Sequence, residues 1–344
     1  MSRLTSVKPL LRECPVRDLR IDHLRAVLVF LVVFGHFLEA SPDGCMPLYR
    51  AIYAFHIPAL LFLSGRFARF SLRRVRGLLL LYAVCQLLYR LFDWLVLGNP
   101  QKVVSWLLVP YWHLWYLVVL IGCLALAPLL EKISRKLRPL AVLSSLLVAV
   151  LWGAIPVSGY WLSFGRLLSF FPFFLTGLYC KNVRLPSGKH RALPLFLSAL
   201  LTAAGTWLLL RWDALPTGLL FGAQSFARLG ATVVQKVFSL AFAFCWICFL
   251  LLFPWPSRPI PLWTGIGQAT LPIYLLHGFF VLAAKHWALF VGLDSLAPLS
   301  ALAVSLLLTV LLGSPELSRW MNTRFFPSSK GKNTLFSPNP EKKD

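Results

Sequence analysis

The feature that most constrains this chain is a succession of apolar runs, most of them at or beyond the roughly 18 residues that signal a membrane span. About ten such runs follow one another between residues 21 and 313. Apolar residues make up 58% of the chain and charged residues only 13%, whereas a soluble domain carries roughly twice that share of charge. Strands of alternating polarity, which a membrane barrel requires, are absent from the pattern. The chain therefore reads as an all-α integral membrane protein, a bundle of about ten transmembrane helices.

The spans fall near 21–40, 47–65, 77–97, 111–130, 139–155, 161–180, 192–210, 233–253, 263–283 and 298–313, with a longer polar connection over 211–232. Three regions follow: a basic N-terminus (1–21), a ten-helix membrane domain (22–313), and a Ser-, Pro-, Asn- and Lys-rich tail (314–344) expected to be disordered. Most of the 34 Lys and Arg lie in the N-terminus, every second loop and the tail. By the positive-inside rule both termini are cytoplasmic, in a multi-pass protein of the plasma membrane. That distribution also disposes of nucleic acid as a partner. The net charge of +22 is dispersed in short clusters between spans, with the bilayer itself as the partner. Seven cysteines give no disulfide framework. Cys245 and Cys248 form a CxxC inside an apolar run (FCWICF), where packing is the expected role, and no metal site is expected.

Ionisable residues inside spans are costly and mark function by default. The first span, IDHLRAVLVFLVVFGHFLEA, carries Arg25 and His36. Their separation puts them within about 20° of each other on one helix face, about 16 Å apart along the axis. That is comparable to an extended phosphopantetheine arm, with a cation for phosphate at one end and an imidazole for acid–base work at the other. Glu39 lies three residues on, placed to orient His36, and His277 reaches a similar depth on span 9. Glu39, Arg50, Arg90, Asp93, His113, Arg166 and Lys236 fall near the outer ends of their spans. Arg50 and Lys236 also read as snorkelling side chains. His113, between Trp112 and Trp115, reads equally as site or interfacial belt, and His56 as site or bundle-interior hydrogen bonder. After span 2 come Arg66, Arg69, Arg73, Arg74 and Arg76, all arginine. They are either a topology signal or a site for phosphate oxygens at the cytoplasmic mouth.

These residues resemble a known family. Arg25-x10-His36 is similar to the signature of the membrane acyltransferase-3 family, and the R-x-x-R arginines to its second motif. The runs YAFHIPALLFLSG, HLWYLVVL, FFPFFLTGLYC and TLPIYLLHG resemble its fucose 4-O-acetylase-like branch. The resemblance implies transfer of an acyl group, usually acetyl, from cytoplasmic acetyl-CoA to a carbohydrate hydroxyl, typically on a glycan or glycolipid. It implies His36 as the catalytic histidine, with Arg73 and Arg76 on the CoA donor and Arg74 as an alternative register; Arg25 and Glu39 join His36 as catalytic candidates by their place on the same helix face. Arg66 and Arg69 belong to the same donor cluster. A proline that the family places shortly after these arginines is absent at Leu80-Leu81-Tyr82. His56, His113, Trp115, Arg166 and His277 are the candidate acceptor-binding residues. Two other readings stand beside this one. A flippase for a lipid-linked sugar would release no CoA, and the sequence shows no paired broken helices of the transporter kind. A non-catalytic subunit of a glycan-assembly complex would tolerate loss of His36.

Overall fold

The computed structural model describes residues 18–41, 46–99, 103–156, 159–186, 188–211, 215–293 and 296–326. Most of the basic N-terminus and the end of the tail lie outside these residues. In chain order the helices are α1 (Leu19–Glu39), α2 (Met46–Tyr53), α3 (His56–Arg66), α4 (Leu72–Leu95) and α5 (Val103–Leu108). Then come α6 (Trp115–Glu131), α7 (Arg138–Ala154), α8 (Phe164–Tyr179), α9 (Ala192–Arg211) and α10 (Gly218–Phe221). The last five are α11 (Val233–Leu252), α12 (Pro261–Gln268), α13 (Thr270–His286), α14 (Ala297–Leu312) and α15 (Pro315–Phe325). Among the described residues there is no β-strand. Eight helical stretches are long and apolar enough to cross a membrane, and ten if the bent pairs α12–α13 and α14–α15 each count as one. The protein is a polytopic membrane bundle.

α1 lies at its centre. Asp18 caps its start, accepting from the Arg20 backbone N–H at 3.1 Å. The helix is apolar nearly all round, so it buries on most sides at once, against α2, α3, α12, α13 and α14. α3 and α8 form the closest-packed pair. A Cβ on Gly65 would sit 2.0 Å from the Phe174 carbonyl oxygen, and one on Gly177 would sit 2.0 Å from that of Phe62. Without a hydrophobic force between helices in lipid, such small-residue contacts hold them together.

Several expectations are corrected. Span 9 is not one helix: α12 and α13 meet at 84°. Pro272 lacks an N–H and its ring opposes the Gln268 carbonyl, which stops the helix from running through Ala269. The turn also presses Gly267 against α1, where a Cβ would lie 1.9 Å from the Asp22 carbonyl oxygen. The second bent pair meets at 57°, so broken helices are present after all. The tail expected to be disordered from 314 instead opens with α15. Ser314 caps it, accepting from Leu317 N–H at 3.3 Å, and the helix packs on α4 and α13. α4 begins at Leu72 rather than near residue 77, so Arg73, Arg74 and Arg76 belong to its first turns. The connection after α9 is not simply polar. Leu215, Leu219, Leu220 and Phe226 are buried with Ala54, Leu209 and Phe242 in a small second core.

Candidate active site

α13 runs beside α1 in the same direction, so His277 faces His36 and Lys285 faces Glu39, while Gln268, the last residue of α12, faces Asp22. This register builds the site. The His36 ring, 8% exposed, stacks on His277 with centroids 5.3 Å apart and contacts Trp112 at 4.4 Å and His113 at 6.1 Å. Its Nδ1 lies 3.2 Å from Glu39 Oε2 and 2.8 Å from the Tyr53 hydroxyl. An ionised carboxylate only accepts, so a neutral ring that bonds Glu39 carries its proton on Nδ1, with the Tyr53 hydroxyl accepting from the same N–H, and keeps its lone pair on Nε2. Lys285 Nζ holds the other Glu39 oxygen at 2.9 Å and sits 4.9 Å from the centre of the Trp112 ring.

Trp112 reaches this place at a conformational cost. Its φ is +30°, a region that bulky L-residues rarely adopt, and strain of this kind clusters at functional sites. The next residue, His113, is 2% exposed and neither of its ring nitrogens is hydrogen-bonded. Its ring comes so near α13 that a Cβ on Gly278 would lie 2.4 Å from its Cε1. His277 donates from Nδ1 to the Ile273 carbonyl at 3.0 Å, which leaves a buried, unpartnered Nε2. Among the described residues no group of His, Cys, Asp and Glu is placed to hold a metal ion.

The remaining sequence candidates separate into distinct places. His56 donates from Nδ1 to the Ile52 carbonyl at 2.8 Å, bridging the break between α2 and α3. Arg166 stacks over Trp115 at 4.6 Å and donates to the carbonyl of Phe221, whose ring packs edge-on at 5.4 Å against Tyr53, the residue bonded to His36. Arg25 stacks over Phe67 at 5.0 Å, and Arg74 is half-buried in the first turn of α4. The α1 face between Arg25 and His36 is closed, with Val29, Val32 and Val33 each 2% exposed or less. Arg69, Arg73 and Arg76 are exposed around the start of α4. Arg66 is turned elsewhere, donating to the carbonyls of Cys180 and, at 2.9 Å, Val183 beyond the end of α8.

Sequence reasoning missed Tyr53 and Lys285 as partners of this site. Lys285 left a signal, since it is one of the few cations on the side that the positive-inside count leaves poor in charge. It also missed His23, which is fully buried and donates from Nδ1 to the Pro256 carbonyl at 3.1 Å, leaving Nε2 to the Thr264 hydroxyl at 2.9 Å. Both nitrogens are thereby satisfied, so this histidine holds α1 to α12.

The profile of the acyltransferase-3 family, described as an acyltransferase domain, matches residues 18–314. The chain belongs to that family. The stretch matched includes both the His36 cluster and the arginines of α4. The chain is also similar to nodulation protein NolL of Sinorhizobium fredii (strain NBRC 101917 / NGR234), 25% identical over 212 residues. That match covers 52% of this chain and 54% of NolL, so the chain spans about half the length of this relative. No solved structure matches the chain.

Proposed function

We propose that this protein is a membrane O-acetyltransferase that moves the acetyl group of cytoplasmic acetyl-CoA to a hydroxyl of a cell-surface or lipid-linked carbohydrate. The observation that carries the reading is the hydrogen bond of His36 Nδ1 to Glu39, which leaves Nε2 as the free base. Nε2 takes the proton of the acceptor hydroxyl as its oxygen bonds to the thioester carbon. The C–S bond then breaks, and the CoA thiolate takes that proton back from His36. Glu39 and Lys285 hold the ring's orientation throughout.

The donor's phosphates are assigned to Arg73, Arg74 and Arg76, with Arg69 beside them. Cations at a helix N-terminus oppose the macrodipole, and a bound anion reverses that penalty. Arg66, committed to the end of α8, is left out of the donor site. Arg25 lies between this cluster and His36, and passage of a pantetheine arm along α1 requires the packed face at Val29 and Val32 to open. Resemblance of the acceptor-side runs to the fucose 4-O-acetylase-like branch supports acetyl as the acyl group and a sugar hydroxyl as acceptor. The same resemblance and the basic loops support the plasma membrane with both termini inside.

The test is turnover of labelled acetyl-CoA by the full-length protein in membranes, with the surface glycans analysed for added acetyl. His36→Ala should abolish transfer while the protein stays inserted. Undiminished transfer by that variant would overturn the reading.

A further inference from the structure

Three basic side chains converge on residues 215–222 from three helices. Arg50 of α2 donates to the carbonyls of Leu209 at 3.1 Å and Leu215 at 3.3 Å. Arg166 of α8 donates its Nε to the Phe221 carbonyl at 3.3 Å, with its guanidinium over the Trp115 ring at 4.6 Å and the Tyr160 ring at 5.3 Å. Lys236 of α11, 4% exposed, donates to Ser169 Oγ at 3.4 Å. Lys236 lines a cavity of about 20 Å³ together with Ser169, Ser239 and Gly222.

No ion pair among the described residues includes Arg166 or Lys236. Glu39 is already shared between His36 and Lys285. Cations at membrane depth normally pair with an anion or line a substrate path. Arg166 is also pre-organised as a receptor: two aromatic faces fix its plane and Phe221 takes its Nε. Neither Nη makes a hydrogen bond among the described residues. A planar guanidinium held in this way suits a carboxylate or phosphate.

We propose that the acceptor carries an oxyanion, a carboxylate or phosphate, which Arg166 seats beside the hydroxyl to be acylated. The proposal rests on the acyltransferase reading of His36. Arg166 and Tyr53 meet on Phe221, Arg166 through its Nε at 3.3 Å and Tyr53 ring to ring at 5.4 Å, and the Tyr53 hydroxyl is 2.8 Å from His36 Nδ1, so an oxyanion on Arg166 sets the neighbouring part of the acceptor toward the base. The cavity at Lys236 holds about one water and excludes the anion itself. Lys236 contributes through its field from beneath Phe170 and Gly222, raising the local concentration of anions.

The test uses purified full-length protein in detergent, with thermal melting read against glucose, glucuronate, glucose 1-phosphate and glycerol 3-phosphate. Either anionic sugar should stabilise with at least tenfold tighter apparent affinity than glucose. Arg166→Gln should remove that preference, Arg166→Lys should retain part of it, and Lys236→Met should weaken it severalfold. Stabilisation by acetyl-CoA serves as the folding control for all three variants. Equal response to glucose and the anionic sugars, or a preference that survives Arg166→Gln, overturns the proposal. Glycerol 3-phosphate matching the sugar phosphate would assign the oxyanion to a lipid headgroup and overturn the acceptor part. CoA release is followed in the same preparation. Normal release without anion preference sinks this inference alone, whereas anion preference without release sinks the transferase reading and leaves only an anion site.

Discussion

Lys285 and His36 are joined through a single carboxylate: Lys285 Nζ lies 2.9 Å from one oxygen of Glu39, and His36 Nδ1 lies 3.2 Å from the other. The bridge ties the far ends of α1 and α13 together beside the ring that would act as base. It fixes the ring's tautomer in the same way that an outer carboxylate orients a ligating or catalytic histidine.

Glu39→Gln should therefore lower kcat by about 10- to 100-fold, the usual range for loss of such a supporting partner. The acetyl-CoA KM should change by less than a factor of two, because the arginines proposed to hold the donor lie at the other end of the bundle. Steady-state CoA release checks both. A matching rise in KM would mean that Glu39 binds substrate directly.

Trp112 predicts an unusual order of stabilities. At φ +30° a glycine is relaxed and an alanine is strained by roughly 1–2 kcal/mol. Trp112→Gly should thus melt above Trp112→Ala, although both lose the ring between His36 and Lys285 and both should lose activity. The reverse order of melting temperatures would show that the backbone there relaxes freely.

Gly65 and Gly177 should tolerate nothing larger. Alanine at either position puts a Cβ 2.0 Å from a facing carbonyl oxygen, and the backbone must move to accept it. Overpacking of this kind costs about 3 kcal/mol, the upper part of its usual range. Thermal melting in detergent should register the loss for each variant, with little further loss in the double variant because the two contacts are one interface.

The arginines around α4 should divide by role. Arg73→Ala combined with Arg76→Ala should raise the acetyl-CoA KM and reduce its sensitivity to salt, since exposed cation–phosphate contacts are screened. Arg66→Ala should leave that KM alone and lower the melting temperature instead, because its guanidinium serves carbonyls beyond the end of α8. A raised KM for Arg66→Ala would restore it to the donor site.

Much of this protein was legible without coordinates. Apolar runs of spanning length dictated a helical membrane bundle, since lipid offers backbone groups no other partner. The helical repeat alone put Arg25 and His36 on one face of α1, and three residues sufficed to bring Glu39 within reach of His36. Such features belong to a residue's own helix, where rise and rotation per residue settle position.

Only the tertiary structure decided which helices meet. The stacking of His277 and the approach of His113 to His36 join residues far apart in sequence, as do the Glu39–Lys285 pair and the docking of Arg166 on Phe221. The break at Ala269 and the folded α15 were likewise invisible to hydropathy. The physical reason is the solvent. Lipid is as apolar as the helices it surrounds, so hydrophobicity places a helix in the membrane without choosing its neighbours. That choice falls to close backbone contacts at residues such as Gly65, Gly177 and Gly267 and to a few buried polar pairs, whose geometry exists only once the helices have packed.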